Sequence, residues 1–292
     1  MNNIIPDEVK KAISLSEYDK EKKKKLEKIW LQKDIDLLKE ASIEYDYSKI
    51  CNFLEDEKDF IQKTDMIFFE KKSYSSVELK NIVIEWLRDI FYVHRVIKAN
   101  NYLENRTAEI IELENNVNAI YENGKYKTYA LCHHVYEKIN SAPETVLIHG
   151  TCFRKELYYD ECRRMNFNMV ELVSFDSQEA LELLKVKLIY VFFCIAKAFY
   201  NTNCRVTVAM DSFISDNKEY LLYQMLKKTK IELQIFSSKM NRYISIGSIN
   251  IHGNHYTNKY KIRTEYGKLS SSLCMGIGIE RLNFVLNENE SG

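Results

Sequence analysis

The chain has 292 residues, enough for one large domain or two small ones. Lys plus Arg and Asp plus Glu both total 42, so the formal charge is zero, which argues against a broad tRNA or DNA footprint. The longest apolar run, Leu188 to Ala196, is too short to span a bilayer. The first residues also lack the basic and apolar pattern of a secretory leader, and the sequence reads as cytoplasmic.

Taken in chain order, Asp7 to about Tyr45 predicts a highly charged helical segment, and Ser48 to Thr64 a further short helix. From Val77 to Asn100 the apolar residues Ile82, Trp86, Leu87, Ile90, Val93 and Ile97 recur at helical spacing, which predicts a helix with one buried face. Leu103 to Tyr121 predicts another helix, closed by Asn123-Gly124. The character changes near Lys125. Tyr129 to Ile139 predicts a short helix carrying Cys132, His133 and His134. Val146 to Phe153 and Met169 to Phe175 predict the two arms of a hairpin. Ser177 to Tyr200 predicts a long helix, apolar enough to be buried on more than one side. Cys204 to Met210 predicts a strand and Asn217 to Lys228 a helix. Strands are predicted over Ile231 to Phe236, Tyr243 to Ile249 and Tyr260 to Thr264. Ser270 to Met275 then leads through Gly276-Ile277-Gly278 into a last helix reaching Leu286. Hairpins and long helical insertions without regular β-α alternation predict an α+β fold, an antiparallel sheet with helices packed on it.

Two stretches carry chemistry. The hairpin sets Arg154 and Glu156 beside a strand end, one residue apart, so their side chains share a face. An Arg there can hold a phosphate, and a Glu can orient a base. Alone, such a pair is most often a surface ion pair of little energy. The second stretch places Glu280 and Arg281 in the first turn of the final helix. A cation there opposes the macrodipole, so Arg281 fits best facing an anion. No phosphate-binding glycine loop or dinucleotide fingerprint occurs. Seven cysteines at irregular spacing suit free thiols or metal ligands better than a disulfide framework.

Phe153-Arg154-Lys155-Glu156 with Phe167 resembles motif 2 of class II aminoacyl-tRNA synthetases, and Gly276-Ile277-Gly278-Ile279-Glu280-Arg281-Leu282 resembles their motif 3. Within that superfamily the chain is most similar to the amino acid:[carrier protein] ligases, themselves similar to the core of atypical, zinc-dependent seryl-tRNA synthetases. The matching segments are Ala130 to Tyr136, Thr151 to Glu156, Arg164 to Glu171, Asp211-Ser212-Phe213, Lys230 to Leu233, Ser248 to Tyr256 and Ser271 to Gly276. The resemblance covers about Tyr129 to Leu286 and implies a synthetase-like catalytic core, 125–292, with a helical insertion near 177–200; the helical N-terminal part, 1–124, read from its own residues, is expected to pack on that core.

That resemblance implies a Zn²⁺ site at Cys132, Glu171 and Cys274, whose open fourth position takes a substrate amine. Cys152, Cys162, His133 and His134 are nearby competitors, and Cys51, Cys194 and Cys204 read as structural. It further implies ATP held by Arg154 at the α-phosphate, Glu156 at the adenine edge, Phe167 on the adenine face and Arg281 at the γ-phosphate. Ser248 and Asn250 line the amino-acid side, and Mg²⁺ bridges the phosphates. Ile244 stands where seryl enzymes carry a carboxylate. The implied activity is ATP-dependent activation of a small amino acid as aminoacyl-AMP, then transfer to the phosphopantetheine thiol of a carrier protein by a homodimeric enzyme. Transfer to tRNA or to a small-molecule amine, and a non-catalytic synthetase-like binding protein, are the alternatives.

Overall fold

A computed structural model describes residues 44–65, 74–156, 158–197, 199, 203–210 and 218–289, with a few scattered positions before 44. The helical segment expected from Asp7 lies largely outside the described residues, and Asp211-Ser212-Phe213 entirely outside them. Two helices, α1 (Tyr47–Phe53) and α2 (Lys58–Thr64), stand where one was expected. Helix α3 (Ser76–Ile90) begins at a capping box formed by Ser75 and Glu78 and buries Leu79, Val83, Ile84, Trp86, Leu87 and Ile90. It ends well before the expected Asn100. The residues after Ile90 are aromatic and β-branched, and Arg95–Lys98 forms strand β1 instead.

The next expected helix also breaks up. Helix α4 (Asn105–Ile110) is brief, and Glu112 then adopts a left-handed φ of 53°. Asn123 and Gly124 both have positive φ and form the tight turn between β2 (Tyr121–Glu122) and β3 (Lys125–Tyr126), not a helix stop. Leu131–His134 and Tyr136–Lys138 are 3-10 turns, where one helix was expected.

Past a short β4 (Ser141–Ala142), the hairpin arms appear as β5 (Glu144–Phe153) and β6 (Asn166–Asp176). Helix α5 (Gln178–Lys197) follows, with consecutive residues Leu188 to Phe192 all buried, as its apolar excess implied. Then come β7 (Cys204–Val208), α6 (Lys218–Lys227), β8 (Lys230–Ser237) and β9 (Arg242–Gly253). A helix not foreseen, α7 (His255–Tyr260), precedes the span expected as a strand from Tyr260, of which Arg263–Thr264 forms β10. Strand β11 (Ser271–Gly278) runs directly into α8 (Ile279–Asn289).

Seven strands form one sheet in the order β1-β5-β6-β11-β9-β8-β7. Every pairing in it is antiparallel except β1 with β5. One face packs on α3, α5 and α8, where Leu147, Val170, Leu172, Ile231, Leu233, Ile249, Met275 and Ile277 meet Leu87, Leu188, Phe192 and Leu282. On the other face, over β5 and β6, the 3-10 segment buries Leu131, Val135 and Tyr136 against Val146, Ile148, Val173 and Phe175. The rest of that face is left for a pocket. Among the described residues no helix is long and apolar enough to cross a membrane.

Sheet and α5 are packed without slack. A Cβ added at Gly247 would lie 2.9 Å from the Gly276 carbonyl oxygen and 3.1 Å from the Phe192 ring. Gly247→Ala is therefore expected to cost about 1–3 kcal/mol through overpacking, and Phe192→Ala about 3–5 kcal/mol through the cavity it leaves. Urea unfolding measures both; wild-type midpoints in both variants would contradict this packing.

Candidate active site

Strand side chains alternate between faces, so the face opposite α5 receives Phe167, Met169 and Glu171 from β6, Cys274, Gly276 and Gly278 from β11, and Lys230, Glu232 and Gln234 from β8. In β9 the alternation needs two corrections. Leu233 faces Gly247 while Gln234 faces Ser245, so Ile246 is an extra residue. That bulge brings Ser245 to the same side as Ser248 and Asn250. Farther on, Leu273 faces Ile251 while Ser272 faces Gly253, so His252 is a second extra residue. Gly276 has its own reason to lack a side chain. A Cβ there would lie 2.7 Å from Met169 Cε and 3.2 Å from Glu171 Cγ, so the glycine lets the β6 side chains fold across β11.

A cavity of about 470 Å³ opens over β6, β11, β9, β8 and β7. Its lining includes seven cationic side chains (Arg154, Arg163, Arg164, Arg205, Lys230, Arg242 and Arg281) against four carboxylates (Glu156, Glu161, Glu232 and Glu280), a field suited to an anionic ligand. Arg154 lies between two rings, 4.8 Å from Tyr129 and 5.2 Å from Phe167, and its Nε donates to Tyr129 O at 3.2 Å. Arg281 donates from Nε to Cys162 O at 2.8 Å and from Nη1 to Ser245 O at 3.0 Å. Burial, and the positive charge of Arg154 nearby, hold Arg281 below the usual guanidinium range. Two half-buried guanidinium groups that repel each other across a pocket suit an anionic ligand. Glu280, next to Arg281, accepts from Asn168 N at 2.8 Å and Nδ2 at 2.7 Å, which ties the start of α8 to β6.

The loop between β5 and β6 is fastened over this end. Asp160 pairs with Arg242 and Glu161 with Lys239, both across to β9 and its turn. Arg163 donates to Glu156 at 3.2 Å. On the polar wall, Arg205 Nε donates to Gln234 Oε1 at 2.8 Å, Gln234 Nε2 to Glu232 Oε2 at 2.7 Å, and Lys230 stands 3.4 Å from Glu232. The sequence reading gave no role to this ladder, although its Lys-x-Glu-x-Gln alternation is plain in β8.

One sheet row beyond Gly276 and Ser248 lies a second cluster. One ligand atom each of Cys132, His252 and Cys274 lie within 4.8 Å of one another. Asn250 Nδ2 donates to Cys274 Sγ at 3.8 Å. The contact between the Cys132 and Cys274 thiols pushes Cys132 up and Cys274 down. Glu171 is buried beside them, and burial, with the negative charge of Cys274, pushes it up to about 7. Its two oxygens accept from Leu131 N at 3.2 Å and Cys132 N at 2.8 Å. The three sequence-named ligands are thus split. Cys132 and Cys274 converge, Glu171 turns to the backbone of the Cys132 turn, and His252 closes the cluster. Two buried cysteines and a half-buried imidazole form a donor set suited to zinc.

The competitors stand aside. His134 Nε2 bonds Thr128 Oγ1 at 2.9 Å, and burial lowers His133 to about 3. Burial pushes the Cys152 thiol up, and that of Cys162 up to about 11. All seven cysteines are free, and Cys194 donates to Asp65 far from the site.

No protein-family model and no curated protein matches this sequence. Solved structures do match its fold. Seryl-tRNA synthetase from Pyrococcus horikoshii, complexed with ATP, superposes with a TM-score of 0.56 at 13% identity over 74% of this chain and 52% of the other. Cytoplasmic serine-tRNA ligase from Naegleria fowleri, in complex with AMP, gives 0.58 at 14% over 74% and 49%. Prolyl-tRNA synthetase from Cryptosporidium parvum, complexed with L-proline and AMP, gives 0.56 at 11% over 84% and 51%. The chain spans about half the length of these proteins. Its fold is that of the class II aminoacyl-tRNA synthetase catalytic core, the mixed, mostly antiparallel sheet with helices that the sequence implied.

The loop over the pocket depends on Asp160, whose Oδ1 accepts from both Cys162 N and Arg163 N at 2.7 Å. Asp160→Ala should speed amide hydrogen exchange at Cys162 and Arg163 about tenfold or more, since each charge-assisted bond contributes about 1.5–3 kcal/mol. Exchange read by mass spectrometry checks this, and unchanged protection would show that the loop is held by other means.

Proposed function

We propose that the protein activates the carboxylate of a small amino acid with ATP, forming aminoacyl-AMP and pyrophosphate, and passes the aminoacyl group to the phosphopantetheine thiol of a carrier protein. One observation carries the reading: the Arg154–Arg281 anion site and the Cys132–Cys274 thiol pair share one face of the sheet, a row apart from the pocket residues Gly276 and Ser248.

In this reading the amino-acid carboxylate attacks the α-phosphorus in line, and pyrophosphate departs. Arg154 offsets the charge that grows on the α-phosphate, and Arg281 holds the γ-phosphate end. Glu156 accepts from the adenine edge and Phe167 stacks on its face. To admit the nucleotide, Arg163 releases Glu156 and Arg154 slides off the Phe167 ring. Mg²⁺ would travel with the phosphates. Ser248 and Asn250 line the amino-acid side. A zinc ion at the thiol pair would take up the substrate's amino nitrogen, anchoring one end of a small amino acid. In the second step the acceptor thiolate attacks the acyl carbon. A carbon–sulfur bond forms, the carbon–oxygen bond to AMP breaks, and AMP leaves.

A carrier-protein thiol is favoured over tRNA by the zero formal charge of the chain. The tRNA reading draws its support from the synthetases that share the fold. An amino-acid panel in ATP–pyrophosphate exchange tests activation. Small amino acids should drive exchange, a chelator should suppress it, and Arg154→Ala or Arg281→Ala should lower it about 100-fold or more. Absence of exchange with every amino acid would overturn the proposal. Offering one preformed adenylate to a phosphopantetheinylated carrier and to tRNA separates the acceptors. A mass-shifted carrier is expected, and charged tRNA with an unmodified carrier would replace the transfer half.

A further inference from the structure

We infer that the metal centre of this chain is a two-thiolate, one-imidazole site: Cys132, Cys274 and His252 hold the ion, Tyr136 fixes the imidazole, and Glu171 stays outside the coordination to hold the Cys132 turn. The inference rests on the proposed function only for the presence of a metal; the ligand set is argued from this chain's own geometry.

Distance is the first argument. A tetrahedral zinc with bonds of about 2.3 Å to sulfur and about 2.0 Å to nitrogen separates S from N by about 3.5 Å. His252 Nε2 is already 3.8 Å from Cys274 Sγ. All three ligand atoms lie within 4.8 Å of one another, so closing on an ion takes only small side-chain shifts.

The second argument is what holds the imidazole. His252 is the extra residue of the β9–β11 bulge, and bulges re-aim side chains. Its other nitrogen, Nδ1, is 2.8 Å from the Tyr136 hydroxyl, which is itself 2.9 Å from Ser272 Oγ. The Tyr136 ring cannot swing away. It stacks on Tyr260 at 5.5 Å and meets Phe175 edge-on at 5.2 Å. With Nδ1–H donating to Tyr136 and Tyr136 donating to Ser272, the Nε2 lone pair faces the two sulfurs. Metal-binding histidines are oriented by this kind of bond from the other ring nitrogen.

The third argument concerns Glu171. Moving its carboxylate to an ion would strand the buried amides of Leu131 and Cys132, at about 1–3 kcal/mol each. Charge points the same way. Two thiolates neutralise a divalent ion, and an imidazole leaves the buried centre neutral, whereas a third anion would leave it charged. Glu171 and Tyr136 are positioning residues in this arrangement, and the fourth metal position remains open for an amine.

Metal binding by the full chain, without ATP or amino acid, tests this apart from any activity. Titration with Co²⁺, read by thiolate-to-cobalt charge-transfer absorption, and zinc competition against a chromogenic chelator give affinities. Cys274→Ser and His252→Gly should each weaken binding about 100-fold or more, and Tyr136→Phe about 10–100-fold. Free imidazole should restore binding to His252→Gly, a rescue that an unfolded variant would not show. Glu171→Gln keeps one amide acceptor and loses the other, so it should weaken binding about 10–100-fold while two sulfurs and one imidazole stay on the ion. X-ray absorption of the zinc-loaded wild type needs no variant and should show two sulfurs and one imidazole. Wild-type affinity in His252→Gly, a carboxylate in place of imidazole, or no metal on the intact protein would each overturn the assignment. An inactive protein with this ligand set would sink the proposed function and leave the assignment standing; an active protein with a carboxylate ligand would do the reverse.

Discussion

Strand alternation is the constraint on which the rest depends. The strands β6, β11, β9 and β8 send apolar residues to α3, α5 and α8 and, over the pocket, mostly polar ones and glycine to the opposite side. Burying that apolar face is the main favourable term for the fold, at roughly 25 cal/mol per Å². A one-residue slip would exchange the two faces, so the hydrophobic core also fixes where the chemistry lies. Strict alternation puts Ser248, Asn250 and His252 of β9 on one side. The bulge at Ile246 adds Ser245 to them while Ile244, Ile249 and Ile251 still pack with the core.

The polar face divides into two unlike ends. One holds Arg154 and Arg281, close enough that each raises the electrostatic cost of the other. Backbone carbonyls of Tyr129, Cys162 and Ser245 partly satisfy these guanidinium groups. A phosphate would satisfy them better, because charge-assisted bonds are roughly twice as strong as those to neutral acceptors. The other end is a buried cysteine pair with an imidazole alongside. Glycines lie between the two ends, and Gly276 in particular keeps the middle of the sheet open. The Arg163–Glu156 contact and the Arg154–Phe167 stack show what a nucleotide would exchange on entering.

Much of this was legible in local sequence. The β5–β6 hairpin and the β11–α8 junction declare themselves through β-branched runs and through glycines at a strand-to-helix step. Arg154, Glu156, Phe167 and Arg281 lie on those elements, and the structure gathers all four around one cavity. What escaped depends on distant partners. Residues 95–98 extend a helical apolar pattern on paper, yet β5 offers them a strand edge, and pairing overrides the pattern. Asn123-Gly124 fits a helix stop and a hairpin turn equally until Tyr121 and Tyr126 are seen to pair. His252 escaped for the same reason. Its place in the cluster depends on Cys132 and Tyr136, far away in sequence. Glu171 was named a ligand from its position in a motif, but its oxygens meet the amides of a turn that the sequence read as a helix.

A crystal structure with an aminoacyl sulfamoyl adenosine, a stable mimic of the adenylate, tests the central claim most directly. The account predicts its adenine against Phe167, its sulfamoyl group at Arg154 and its amino nitrogen facing the Cys132–Cys274 pair, all across one face of the sheet. A mimic lodged elsewhere, or bound with its amine turned away from the thiols, would contradict it.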